Sequence, residues 1–119
     1  MAVFSQSVIN KQGDCMVVTL QASFTTEVAE HLSNDLLSRL DATPVKAAIL
    51  DMSAVSIMDM HDFDALINLA KRVSLMGTVP MFAGFLPALV GTLATLGAHS
   101  HGIASFNSVE TAISSLNDK

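Results

Sequence analysis

Residues 50–77 read LDMSAVSIMDMHDFDALINLAKRVSLMG, and this stretch decides the fold. It continues an apolar run that begins at residue 46 and has the length of a strand. A short polar turn follows, and then a helix whose apolar residues recur at i, i+3, i+4 and i+7. That helical stripe consists of Phe63, Leu66, Ile67, Ala70 and Val73. The stretch therefore predicts a strand buried on both faces of a parallel sheet, a turn, and a helix that ends at Gly77.

A β-hairpin and a helix are predicted ahead of this unit. Residues 15–21 are rich in β-branched and apolar side chains, and residues 3–10 alternate weakly between apolar and polar. The turn-forming sequence Gln-Gly-Asp lies between them, so the two runs are expected to pair as a hairpin. Thr25 or Thr26 then caps a helix that ends before Pro44.

Two more strand and helix pairs are predicted after the unit. Residues 79–85 have the composition of a short strand, and residues 87–97 predict a helix that begins with proline and ends with glycine. Residues 103–106 predict the last strand. Asn107 and Glu110 have the spacing of a capping box, which predicts the start of a final helix.

The predicted order is β-β-α-β-α-β-α-β-α, within a single domain that covers residues 1–119. Strands that alternate with helices form parallel sheets through right-handed crossovers. The expected fold class is therefore α/β. It has a mostly parallel central sheet of about four to five strands, an N-terminal hairpin and about four helices.

Composition narrows the possible functions. Half of the residues are hydrophobic and 14% are charged, which excludes a disordered chain and implies that a partner or further copies cover part of the surface. The net charge of −5, with scattered lysines and arginines, argues against nucleic-acid binding. There is no basic leader followed by an apolar segment, and no apolar run of about 18 residues. We therefore expect a cytoplasmic protein without membrane insertion.

Cofactor, metal and disulfide chemistry are not predicted. A dinucleotide site needs a glycine fingerprint after the first strand, where Gly13 stands alone. His99 and His101 have the spacing of two metal ligands, but no third and fourth ligands stand at motif spacing. Cys15 is the one cysteine, which excludes an intrachain disulfide and is typical of a small buried hydrophobe.

Asp59, His61, Asp62 and Asp64 form the densest polar cluster. One interpretation is general acid–base chemistry by His61 with Asp59 or Asp62. The other is helix capping, in which Asp59 is the N-cap and Asp62 places negative charge at the positive end of the helix dipole. Capping is favoured because adjacent residues at a helix start do not point at one another. No catalytic residue is predicted.

Met60 is the first helical residue if Asp59 is the N-cap. A phosphate at this position would lie against free backbone N–H groups and would add about two negative charges to a docking surface. Methionine cannot be phosphorylated. Its flexible side chain suits either an adaptable contact surface or packing against the edge of the sheet.

Three segments resemble the STAS domain family, the anti-sigma-factor antagonist module, over about residues 8–116. Residues 14–37 have the family's second strand, loop and first helix. Residues 50–77 have its Asp-x-Ser/Thr-x-Val turn and the helix that ends in Leu-Met-Gly. The residues of that turn are Asp51, Ser53 and Val55. Residues 84–97 have its Gly-x-x-Pro turn and Leu-Gly helix end, and the resemblance is closest to the RsbS-type scaffold subunit of the stressosome.

The resemblance implies a non-enzymatic signalling protein of the bacterial stress response. Such proteins bind a serine/threonine switch kinase of the anti-sigma type and other STAS subunits, so a homo- or hetero-oligomer is implied. Phosphorylation at the helix start releases the kinase. Met60 stands at the phosphoacceptor position here, which implies a module locked in its unphosphorylated-like binding state. The implied partner-binding surface consists of Ser53, Ser56, Asp59, Met60, His61, Asp62 and Asp64.

Three alternatives to this interpretation stay open. Ser53 and Ser56 precede the helix and are most simply turn residues, but phosphorylation of one of them in place of residue 60 stays open. The acidic cluster is alternatively an imitation of phosphate, which would make the module constitutively released. The alternative function is a small-ligand sensor that binds a nucleotide or lipid, or a transport-associated STAS component, and the low charge of the chain motivates it.

Overall fold

The computed structural model describes residues 8–117 and has the order of elements that the sequence predicts. Its strands are β1 (Val8–Gln12), β2 (Cys15–Thr19), β3 (Ala47–Asp51), β4 (Val79–Ala83) and β5 (Ala104–Phe106). Its helices are α1 (Thr26–Ala42), α2 (Met60–Leu75), α3 (Pro87–Thr95) and α4 (Val109–Asn117). The first part of the predicted opening strand, residues 3–7, lies outside the described residues.

The sheet has five strands in the order β1-β2-β3-β4-β5. β1 pairs with β2 antiparallel, and the other three pairs are parallel. Because each parallel strand lies beside the previous one, right-handed crossovers place α1, α2 and α3 on the same face. The chain then crosses to the other face, where α4 packs. The predicted α/β fold with a mostly parallel sheet and an N-terminal hairpin is confirmed.

The core has two parts because both faces of the central strands are covered. Along β3, Ala48 and Leu50 face the larger cluster under α1, α2 and α3, whereas Ala47 and Ile49 face the cluster under α4. All four are fully buried. Strict alternation between the two faces explains why the run is apolar throughout rather than at every second residue.

Cys15 belongs to the smaller cluster and is buried, which confirms the prediction of a small buried hydrophobe. Burial raises the pKa of its thiol, since a thiolate would lose solvation, and the neighbouring charge of Asp14 raises it further. The side chain is therefore a small hydrophobe rather than a nucleophile.

Most of the predicted helix boundaries are confirmed, and one is wrong. Thr25 is the N-cap of α1, and Gly77, with φ +83°, follows the end of α2. At α4 the predicted capping box on Asn107 is not formed, because the Ser108 hydroxyl instead accepts from the Thr111 N–H at 3.1 Å. Local sequence offers two adjacent cap-forming residues here. The choice between them is made by where β5 ends and where α4 packs on the sheet.

Candidate functional site

The predicted site lies in the β3–α2 loop, residues 52–59, where β3 ends. Met52, Val55 and Met58, each three residues apart, are buried, and their side chains anchor the loop to the core. Between these anchors the loop exposes Ser56 and, most of all, Ile57, whose accessibility is 75%. The loop therefore presents an apolar side chain to solvent from a backbone that the core holds in place.

Ser53 lies in a tight turn at the start of this loop. Its N–H donates to Asp51 Oδ1 at 3.0 Å, which closes the turn as the sequence predicts. Gly84, with φ +74°, passes close to the same turn from the loop after β4. A Cβ on Gly84 would lie 3.2 Å from Ser53 Cβ and 3.3 Å from Asp51 Oδ1, so only glycine allows this approach without displacement.

The start of α2 has the geometry that the capping interpretation predicts. Asp59 Oδ1 accepts from the Asp62 N–H at 2.8 Å, and the helix begins at Met60. Met60 is half-buried and packs on the larger core cluster. One part of the Met60 side chain therefore packs at the end of the sheet, and the other part is exposed to solvent.

Asp62 makes a connection that the sequence analysis missed. Its Oδ1 accepts from both the backbone N–H and the hydroxyl of Thr26, each at 2.9 Å. Thr26 is the first residue of α1, so one carboxylate in the first turn of α2 caps the neighbouring helix. The predicted topology could have indicated this contact, since helices that follow neighbouring parallel strands begin near the carboxyl ends of those strands.

A groove of about 310 Å³ extends from this connection between α1 and α2. His61 and Asp64 are exposed and line its wall together with Glu30. At its far end Arg72 Nη1 donates to the buried Ser33 hydroxyl at 3.0 Å. The predicted residues His61 and Asp64 therefore lie on a groove wall, while Asp59 and Asp62 hold the helix start.

Charge is distributed unevenly along the two helices that form the groove. The first turn of α1 contains Glu27 and that of α2 contains Asp62, while Arg39 and Arg72 lie in the last turns. The acidic side chains around the site are Glu27, Glu30, Asp59, Asp62 and Asp64. This arrangement complements the helix dipoles and makes the site end of the domain negative.

The geometry favours capping over acid–base chemistry. The carboxylates of Asp59 and Asp62 both accept from backbone N–H groups, so neither is arranged to orient His61. Within residues 8–117 no group of three or more His, Cys, Asp or Glu side chains is placed to hold a metal ion. The rings of His99 and His101 lie 6.3 Å apart, on the loop after α3.

None of the four helices in the described part of the chain is both long and apolar enough to span a membrane.

Fold and site together define an α/β domain whose candidate site is a capped helix start. The sequence model of the STAS domain matches residues 6–112, and the chain therefore belongs to the STAS domain family. A search of curated proteins finds no significant sequence match.

Solved structures share this fold. A variant of RsbS from Moorella thermoacetica is 23% identical, with a TM-score of 0.80 over 96% of this chain and 97% of that one. A chain of the stressosome, described as a signal integration and transduction hub, is 22% identical, with a TM-score of 0.80 over 93% and 96%. The anti-sigma factor antagonist SpoIIAA in its unphosphorylated form is 12% identical, with a TM-score of 0.71 over 95% and 99%. The TM-scores show that these proteins share the fold of this chain, and at identities this low the likeness shows the fold alone.

Proposed function

We propose that this chain is a non-enzymatic, cytoplasmic STAS module of bacterial signalling. It binds a serine/threonine switch kinase of the anti-sigma type and other STAS subunits through the start of α2. The observation that carries the proposal is the intact helix start, in which Asp59 caps α2 directly before Met60. Membership of the STAS family and the shared fold of RsbS and SpoIIAA support it.

The surface is organised before any partner arrives. Buried side chains anchor the β3–α2 loop, and the bond from Thr26 to Asp62 fixes the starts of α1 and α2 relative to each other. A preorganised surface loses little conformational entropy on binding. Ile57, at 75% exposure, is then the apolar contact that a partner gains most from burying.

The charge of the site defines the chemistry of the partner. Acidic residues surround the helix start, so a complementary partner presents lysine or arginine side chains around an apolar pocket for Ile57. Opposite charges across an interface mainly raise the association rate. Binding is therefore expected to weaken as salt is raised.

Met60 removes the ordinary route to release. A phosphate on residue 60 would place about two negative charges beside the carboxylates of the helix start, which repel it, and a partner docked there would have to strip the phosphate of its solvation. Both effects disfavour the bound state. Methionine offers no hydroxyl, so the module stays in its binding state. The carboxylates of Asp59 and Asp62 are engaged in capping bonds, and this argues against their imitating a phosphate.

The test is incubation of the wild-type chain and Met60→Ser with the switch kinase of the same organism and ATP. Intact mass and peptide mapping report the phosphate, and pull-down reports binding. We expect Met60→Ser to take up one phosphate and release the kinase, while the wild type stays bound and unmodified. Stoichiometric phosphate on Ser53 or Ser56 of the wild type would refute the locked state. Recovery of neither kinase nor STAS proteins would refute the binding function.

A second candidate function is the binding of a small ligand in the groove between α1 and α2. The groove is adjacent to the site, and the Arg72 guanidinium and Ser33 hydroxyl lie at one end of it. A nucleotide or lipid that binds only the native state raises the melting temperature. No shift with either class, at concentrations that saturate known binders, would exclude this alternative.

A further inference from the structure

One long segment of the chain contains no formal charge. Between Arg72 and Glu110 the sequence has no Asp, Glu, Lys or Arg, although 14% of the whole chain is charged. These residues, 73–109, form the last turn of α2 and all of β4, α3 and β5. We call the surface they present the neutral edge, since β5 is the last strand of the sheet.

The neutral edge carries most of the exposed large hydrophobic side chains of residues 8–117. These are Leu75, Met76, Val79, Val90 and Leu96, while Val8 and Ile57 lie elsewhere. Leu75 is 88% accessible, so its side chain projects almost wholly into solvent at the end of α2. A concentration of apolar side chains without charge between them is typical of a protein–protein contact.

A cavity lies beside the projecting leucine. Its volume is about 480 Å³, and its lining includes Lys71, Ser74, Val79, His101 and Ala104. Lys71 is the one residue with a formal charge in that lining. Ser74 and Gly77, which line the cavity, lie on either side of Leu75 in the sequence. The projecting Leu75 side chain, called the knob below, is therefore adjacent to the cavity on one surface. A cavity of about 150 Å³ already accommodates a benzene molecule, so this one has room for a leucine side chain.

The strand at this edge has no lysine or proline that hinders pairing, although its length of three residues limits how far another strand can pair with it. Edge strands are commonly blunted by lysine, proline or a bulge. β1, at the opposite edge, contains Lys11, whereas β5 consists of Ala104, Ser105 and Phe106. β5 pairs with β4 on one side, and its other side faces outward from the sheet.

We propose that the neutral edge pairs with the same edge of a second copy about a two-fold axis, with Leu75 of each copy in the cavity of the other. A two-fold contact requires one patch that is complementary to itself. A knob beside a cavity satisfies this in shape. In electrostatics, residues 73–109 bring no formal charge to the contact. Lys71 at the cavity is exposed, and its long side chain can keep the ammonium group in solvent.

The charge of the rest of the domain favours a second copy at this edge over other placements. Each copy has a net charge of −5, with acidic residues concentrated at the starts of α1 and α2. Contacts through that end would bring many like charges together, whereas residues 73–109 add no formal charge to a contact. A partner with an ordinary charged surface would bury its charges against the neutral edge without compensation.

This inference rests on the assembly part of the proposed function and assigns a surface to it. It does not depend on kinase binding, which the proposal places at Ile57 and the start of α2. The two surfaces can therefore be perturbed separately. The dimer leaves the kinase-binding surface exposed on both copies.

The experiment is sedimentation velocity of the full chain over a range of concentrations, with three variants. Leu75→Asp replaces the knob by a charge, and Ala104→Phe fills the cavity from an exposed strand position. Each is expected to weaken the dimer at least about 30-fold, the effect of removing one interface hot spot. Ile57→Asp is the matched control, since it makes the same change at another highly exposed position and is expected to leave the dimer intact.

The readouts separate failure of this inference from failure of the proposed function. Circular dichroism and melting first verify that each variant is folded. A wild type that stays monomeric at its highest soluble concentration would overturn the inference, as would a monomer that pairs only with a different STAS chain. Equal dimer affinity in Leu75→Asp and wild type, or equal loss in Ile57→Asp, would also overturn it. A dimer that behaves as stated but binds no kinase would refute only the proposed function.

Discussion

The bond between Asp62 and Thr26 gives the most direct prediction from the structure. Asp62→Ala removes the acceptor of two hydrogen bonds, both 2.9 Å long, that join the first turns of α1 and α2. The Thr26 N–H is one of the donors at a helix start that has no partner within its own helix. Without Asp62 that donor must be satisfied by water, and the connection between the helices is lost.

The expected loss in free energy of unfolding is about 2–3 kcal/mol. Hydrogen bonds to charged groups contribute about 1.5–3 kcal/mol each, but both groups are only half-buried here and water partly replaces the bonds. Loss of negative charge near the positive ends of two helices adds about 0.3–1 kcal/mol for each helix. For a domain of this size the change corresponds to a fall in melting temperature of about 8–12 °C.

The assay is urea unfolding followed by circular dichroism at fixed protein concentration. Asp64→Ala is the matched control, because it removes an exposed carboxylate two residues further along the same helix. It is expected to change stability by less than about 0.5 kcal/mol. Thr26→Val removes the hydroxyl but keeps the N–H, so its effect is expected to be smaller than that of Asp62→Ala.

A double-mutant cycle between positions 62 and 26 measures the interaction itself. If the bond is as described, the effects of Asp62→Ala and Thr26→Val are not additive, with a coupling of at least about 0.5 kcal/mol. Additive effects, or an Asp62→Ala variant as stable as the Asp64→Ala control, would refute the reasoning.

Two further predictions concern stability. Gly84→Ala is expected to destabilise the domain by about 2 kcal/mol in the same assay, because φ is +74° and the added Cβ meets Ser53. The control is Gly91→Ala, in α3, where an added Cβ meets open space. This control is expected to stabilise the domain by about 0.5–1 kcal/mol. Burial raises the pKa of Cys15, so the unfolded thiol ionises first and stability should fall as the pH rises above the ordinary value of 9.0. A wild type and a Cys15→Ala variant with the same dependence of urea midpoint on pH from 8 to 10 would contradict this assignment.

Much of the fold was predictable because its determinants are local in the chain. The stripe from Phe63 to Val73 has helical spacing, and the apolar run of β3 has the length of a strand, so both elements follow from periodicity. The Asp59 cap was also predictable, because an N-cap bond joins residues three apart. The exception at Ser108 arose where two adjacent residues suit the same role and packing chooses between them.

The sequence by itself determined the order of elements, the buried strand of residues 47–51 and the position of Met60 at the start of a capped helix. Only the tertiary structure decided that Asp62 bonds to Thr26, which lies 36 residues away, and that Leu75 projects beside a cavity formed by β4, β5 and the end of α2. The physical reason is that periodicity and capping act within a few residues. Contacts across the sheet depend on which helix starts and strand edges the topology brings together.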